Sequence, residues 1–194
     1  MKTRKHSSAR DKIVEAASDL FFTQGYQATT IDDVIERSGV SRPTLYNHFK
    51  TKEELCVEYL KERRQLDLGE FKDAMRKEKT AKGRFLAVAR LTGHFLSTTQ
   101  FRGCRYFNII SEVADCASPM AKEARLYVDN YREIIKDGVL ELKASDSKYK
   151  KLDVDRIAES YYLLISGAIM ASQEYREQWP IDRALKEIER LMEV

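Results

Sequence analysis

Five side chains within seven residues carry the sharpest chemistry in this sequence: Arg42, Thr44, Tyr46, Asn47 and His48. They fall on one edge of a short predicted helix, and Leu45 and Phe49, at i and i+4, make its opposite, apolar edge. The outer edge is rich in hydrogen-bond donors and holds no acid. Arginine and asparagine can each place two parallel hydrogen bonds on a guanine or adenine edge in the DNA major groove. Threonine and tyrosine suit phosphates or a thymine methyl. The same composition also suits an ordinary solvated helix face, so the residues alone leave both readings open.

The stretch around them predicts how that edge is held. Thr30 is a hydroxyl N-cap for a helix over 31–38, with Asp33 at the third position as a shorter substitute for the Glu of a capping box. Ile31, Val34 and Ile35 give that helix one apolar face. Gly39 ends it, because glycine adopts positive φ just past a helix end at no steric cost. Val40 plugs the turn. Ser41 caps the helix over 42–48, and Pro43 falls in its first turn, where a missing N–H costs nothing. Two helices joined by a glycine-containing turn predict a helix-turn-helix, whose second helix fits a major groove. A helix over 9–24, with Ile13, Ala16, Ala17, Leu20 and Phe21 at 3.6-residue spacing, packs across the pair and completes a three-helix core with Val34, Ile35, Val40, Leu45 and Phe49.

Several motifs fall in order here: Gly25-Tyr26, Ala28-Thr29-Thr30-Ile31, Ile35, Gly39-Val40-Ser41, Thr44-Leu45-Tyr46-Asn47-His48-Phe49 and Lys52-Glu53-Glu54-Leu55. Together they resemble the N-terminal DNA-binding domain of the TetR family of transcriptional regulators. The resemblance covers about the first 55 residues; beyond them only length and helical pattern are similar. It implies a homodimeric regulator that binds a palindromic operator and is released by a small-molecule effector held in the second domain. Residue chemistry and motif together point to Arg42, Thr44 and Asn47 for base edges, and to Thr30, Ser41, Tyr46, His48 and Lys52 for phosphates. Capping is a competing duty for Ser41. An activator of the same fold, or a helical small-molecule-binding protein without DNA function, are the alternative readings.

Composition bounds the rest. Of 194 residues 34% are charged, and only 8 are Gly and 3 Pro, which predicts an all-α protein. Residues 1–52 hold nine Lys or Arg against six Asp or Glu, while residues 53–194 hold 25 of each, so the whole net charge of +3 lies in the first quarter. Residues 1–12 alone carry five basic groups and one acid, an arm suited to a polyanion, although such a terminus is also ordinary solvated chain. No apolar segment follows the basic start, and the uncharged run 160–173 is too short to span a bilayer. The three cysteines form no CxxC pair, which predicts a reducing, cytoplasmic setting and no membrane partner. No phosphate-binding loop, HExxH or GxSxG motif is present, so neither catalysis nor a cofactor is called for. The carboxylate pairs Asp32-Asp33 and Glu53-Glu54 sit at helix starts, where capping and the helix dipole explain them. His94 has no second His or Cys at i+4, so no metal site is expected.

About nine helices are predicted, in two domains, 1–51 for DNA and 52–194 for effector and dimer contacts. Thr51 caps a helix over 52–76, a rod long enough to carry a displacement between domains and equally compatible with plain scaffold. Further helices cover 81–99, 103–115, 119–143, 153–178 and 180–192. The helix over 153–178 is apolar on nearly every side between Ile157 and Ser172. It must therefore be covered all round, by a second copy of the chain or by a core within one chain. Phe95, Tyr106, Phe107, Asn108, Tyr127, Tyr131, Tyr162 and Ser166 are candidate pocket residues, aromatic or weakly polar; core packing is the ordinary duty of each.

Overall fold

The computed structural model describes residues 8–193, and the first seven residues of the basic arm lie outside them. Nine α-helices and no strands occur among the described residues: α1 Ala9–Thr23, α2 Ile31–Ser38, α3 Arg42–His48, α4 Lys52–Arg76, α5 Ala81–Thr98, α6 Arg105–Glu112, α7 Pro119–Ser145, α8 Val154–Tyr175 and α9 Trp179–Arg190. A single 3₁₀ turn at Ser147–Tyr149 interrupts the polar loop before α8.

The helix ends follow local chemistry. Ser8 caps α1 and closes a capping box with Asp11. Thr30 does the same for α2: its hydroxyl accepts from Asp33 N–H at 3.1 Å, and the Asp33 carboxylate accepts Thr30 N–H at 2.7 Å. The shorter acid thus closes the box that Glu usually closes, and these hydrogen bonds hold its carboxyl below the usual carboxylate range. Gly39 ends α2 with φ +68°. At α4, Thr51 accepts from Glu54 N–H, but the Glu54 carboxylate reaches one residue further back, to Lys50 N–H at 2.7 Å. Helix α6 begins two residues later than the glycine at 103, and Arg176, in the left-handed region, stops α8 before Gln178.

Packing divides the chain differently from a cut at 51/52. One compact unit takes the chain up to Arg64 together with Arg105–Arg125; the other takes Gln65–Cys104 and Leu126–Val194. The reason lies in α6 and the start of α7, which pack on the N-terminal helices. Arg105 is buried, with its guanidinium 4.7 Å from the centre of the Phe22 ring. Buried Glu123 accepts from Arg64 Nε at 2.7 Å. In this N-terminal unit α1 packs on α2 and α3 over Ile13, Ala17, Leu20, Phe21, Val34 and Leu45, while Ile35 and Val40 are only half-buried.

The C-terminal unit is built on α5, α7 from Leu126 onward, α8 and α9. Phe85 of α5 meets Tyr161 of α8 edge-on at 5.0 Å, and the Tyr161 hydroxyl donates to Phe85 O at 3.3 Å. Around that pair lie Ile135, Val139, Leu142, Ile157, Ile165, Ile181 and Ile188. Ile165 is 1% exposed at the centre of α8. Ile165→Ala is expected to lower unfolding free energy by about 2–5 kcal/mol in denaturant titration. A loss under about 1 kcal/mol would show that this position is not a tightly packed core site.

Candidate nucleic-acid interface

Helix α3 has seven residues, about 10.5 Å of axis at 1.5 Å per residue, and fits within a groove about 12 Å wide. Its roll is fixed from inside. Leu45 is 0% exposed and Phe49, just past the helix end, 4%. Phe49 also lies 5.9 Å under the guanidinium of Arg10. With those two side chains turned inward, Arg42, Tyr46, Asn47 and His48 are exposed. Thr44 is half-buried, and its hydroxyl shares a 2.7 Å hydrogen bond with Ser41 Oγ, so its methyl is the freer end for a base. Ser41 accepts from Thr44 N–H as the N-cap.

Arg42 is held by an ion pair with Asp32 at the start of α2, between two exposed side chains. Exposed pairs of this kind are worth about 0–1 kcal/mol, so a base edge can replace Asp32 at small cost. The acid pair at 32–33 therefore has split duties: Asp33 caps, and Asp32 aligns the arginine.

Two expected phosphate contacts are otherwise engaged. Lys52 donates its ammonium to Tyr26 O and Thr29 O, each at 2.9 Å, and lies 4.3 Å over the Tyr26 ring. It ties the turn before α2 to the start of α4, while burial pushes the Tyr26 phenol up to about 12. Thr30 is exposed, but its hydroxyl both accepts from Asp33 N–H and donates to the Asp33 carboxylate at 2.8 Å. Within the basic arm, Arg10 bridges to Glu58 at 2.6 Å and Glu62 at 2.8 Å and so clamps α1 to α4. Lys12 is exposed.

The support that sequence reasoning missed is Glu112, the last residue of α6. Its carboxylate accepts Gln27 N–H at 2.7 Å, and its carbonyl accepts from the Gln27 side-chain amide at 3.2 Å. Gly25, at φ +102°, permits the approach: a Cβ there would stand 2.9 Å from the Glu112 carboxylate. The turn that launches α2 is thereby fixed by a residue 85 positions away, a separation no local pattern encodes.

The eight candidate pocket residues divide between the two units. Tyr106, Phe107 and Asn108 lie on α6 in the N-terminal unit, where Tyr106 is 1% exposed. Phe95, Tyr127, Tyr131, Tyr162 and Ser166 lie in the C-terminal unit. There Tyr131 stacks on Tyr127 with ring centres 6.1 Å apart and meets Phe71 at 5.3 Å. Phe95 and Ser166 are half-buried. The Tyr131 phenol is buried, and burial holds its proton well above the ordinary range. The neighbouring Thr92 hydroxyl donates to Val88 O at 3.0 Å. Cys56 is buried, and burial pushes its thiol up, so it is no nucleophile; Cys104 is half-buried and Cys116 exposed.

The family model described as "Bacterial regulatory proteins, tetR family" matches residues 13–59, which are α1 through the first third of α4. The HTH-type transcriptional regulator QacR of Staphylococcus aureus is 31% identical over 133 residues, covering 68% of this chain and 71% of that one. The HTH-type transcriptional regulator LmrA of Bacillus subtilis is 24% identical over 178 residues, 91% of this chain and 92% of its own. Among solved structures, a TetR-family transcriptional regulator from Streptomyces coelicolor superimposes with a TM-score of 0.85 at 22% identity, covering 95% of this chain and 94% of that one.

The Glu112 contact generates a prediction. Glu112→Ala leaves the partly exposed Gln27 N–H to water, and is expected to weaken binding to any duplex by a similar factor, about 0.5–1.5 kcal/mol. Sequence preference should stay unchanged in a competition assay on randomised DNA. A changed base preference would mean that Glu112 acts on the reading edge itself.

Proposed function

Because this chain belongs to the TetR family of bacterial regulatory proteins, and is a DNA-binding transcriptional regulator rather than an enzyme, we propose that it acts as a homodimeric repressor of a palindromic operator, released by a small-molecule effector. In this reading residues 1–51 serve DNA, residues 52–194 serve effector and dimer contacts, and the protein works in the cytoplasm. The observation that carries it is the α3 edge: four exposed polar side chains on a short helix rolled into place by Leu45 and Phe49.

Arg42 and Asn47 are assigned to base edges and the Thr44 methyl to a thymine. Tyr46, His48 and Ser41 are assigned to phosphates, with Lys52 and Thr30 contributing there mainly through the backbone they hold in place. The excess of positive charge before residue 53 favours the same polyanion. Occupancy of promoter DNA is enough for repression, whereas activation by the same fold needs a further contact with the transcription machinery. The sign of a reporter response to deletion of the protein separates the two.

A second copy of the chain is assigned to α8. Its inner side, Ile157, Tyr161, Ile165 and Ile169, is buried within the chain, yet Leu163 and Met170 are 67% and 66% exposed, with exposed Gly167 between them. These three lie at i, i+4 and i+7, one stripe of a helix, and the glycine permits close approach of a partner helix. Pairing of two copies on that stripe supplies the two recognition helices that a palindrome with half-sites about 34 Å apart requires. Effector binding then favours an arrangement that no longer spans both half-sites, with a coupling of typically about 1–3 kcal/mol.

Two experiments test this reading. Arg42→Ala is expected to weaken specific binding by about 1–3 kcal/mol and relax preference at one base position. An equal loss on every sequence would remove Arg42 from base reading. The double variant Leu163→Glu, Met170→Glu is expected to sediment as a monomer and to bind a single half-site only. A dimer that persists in sedimentation would move the interface elsewhere.

A further inference from the structure

We propose that the effector is an electrically neutral, ring-bearing small molecule whose hydroxyl or carbonyl group pairs with the phenol of Tyr131; this rests on the reading of the C-terminal unit as the effector-binding one. Two independent observations lead there.

The first is where charge is buried. Arg105 and Glu123 are the buried charged side chains among the described residues, and both belong to the N-terminal unit. The interior of the C-terminal unit has none. A ligand carrying an ion into that interior would lose its water and find no counter-charge, which is the costly case for buried charge. The charged groups of α7 nearest Tyr131 in sequence, Asp129, Arg132 and Glu133, are exposed, and the Arg132 guanidinium is 5.8 Å over the Tyr162 ring.

The second is where hydrogen bonds are missing. Three buried side-chain atoms of the C-terminal unit have no hydrogen-bond partner: Tyr131 Oη, Ser172 Oγ and Gln178 Oε1. All three are neutral, two hydroxyls and one amide oxygen. Buried polar atoms without partners are uncommon, and each costs stability unless something else pairs with it. Tyr131 is the one set among flat rings, with Tyr127 stacked on it and Phe71 tilted against it. Half-buried Tyr127, Tyr162 and Cys104 pack at the margin of the same core, so the phenol lies one side chain in from the rim. An aromatic or alicyclic ring fills such a place by stacking, and a polar group on it completes the phenol's hydrogen bond.

The test uses the full-length protein and a matched set: naphthalenemethanol, naphthoate and naphthylmethylammonium, with naphthalene as the group-free control. Calorimetric titration is expected to give the alcohol about tenfold tighter binding than either ion. Tyr131→Phe is expected to weaken the alcohol by about 3- to 10-fold and leave naphthalene unchanged. The same variant, without ligand, is expected to melt no lower than the parent, because it removes an unpaired buried hydroxyl. A lowered melting temperature would show the hydroxyl partnered in the free protein and overturn the assignment. Tighter binding of either ion overturns the neutral class while leaving an effector site in place. No binding by any of the four overturns the effector-site reading of this unit itself.

Discussion

A seven-residue helix cannot hold itself together in water. Nucleating a turn fixes several dihedrals for one hydrogen bond, and isolated helices shorter than about 12–15 residues are marginal at best. α3 therefore exists only because its neighbours require it. Leu45 supplies the anchor in the middle, Phe49 the anchor at the end, and Ser41 and Pro43 the start. Every other feature of the N-terminal unit is subordinate to that constraint. α1 provides the floor on which α2 and α3 rest, and Gly39 sets the turn between them. The Arg10 clamp joins the floor to α4. Because anchors and reading edge are on opposite sides of one short helix, the packing that stabilises α3 also aims it.

Charge is handled differently in the two units. In the N-terminal unit, charged groups are structural: Arg10 with two glutamates, Arg64 with buried Glu123, Lys52 on two carbonyls, Glu112 on the Gln27 amide. Several basic residues that composition assigns to a polyanion are thus occupied inside the protein. In the C-terminal unit the interior is apolar, broken only by hydroxyls and an amide. A unit of that kind offers shape and hydrogen bonds to a guest, with no fixed charge to select an ion.

The late helices divide the labour of covering α8. Periodicity alone marks that helix as apolar on nearly every side, a pattern equally suited to a chain's own core or to an interface. The packing covers one side of it and leaves the other exposed. Ile157, Tyr161, Ile165, Ala168 and Ile169 face α5 and α9 and the rest of the core, and Leu163, Gly167 and Met170 face outward. α9 packs chiefly on α8 and secondarily on α5, which accounts for its alternating buried positions Ile181, Ala184 and Ile188.

The sequence by itself determined whatever is local. Hydroxyl and acid spacing set the caps of α1, α2 and α3; glycine at 39 set the turn; and the i, i+4 placement of Leu45 and Phe49 decided which side of α3 reads outward. These are interactions between residues a few positions apart, and their geometry is the same in any helix. The tertiary structure alone decided what depends on distant partners. It turned Lys52 inward to Tyr26 and Thr29, gave Asp32 to Arg42, and carried Tyr106, Phe107 and Asn108 into the N-terminal unit with the rest of α6. It also set Glu112 against a turn 85 residues earlier. A side chain with several possible partners takes the one the fold delivers, and only the assembled chain settles which of them arrives.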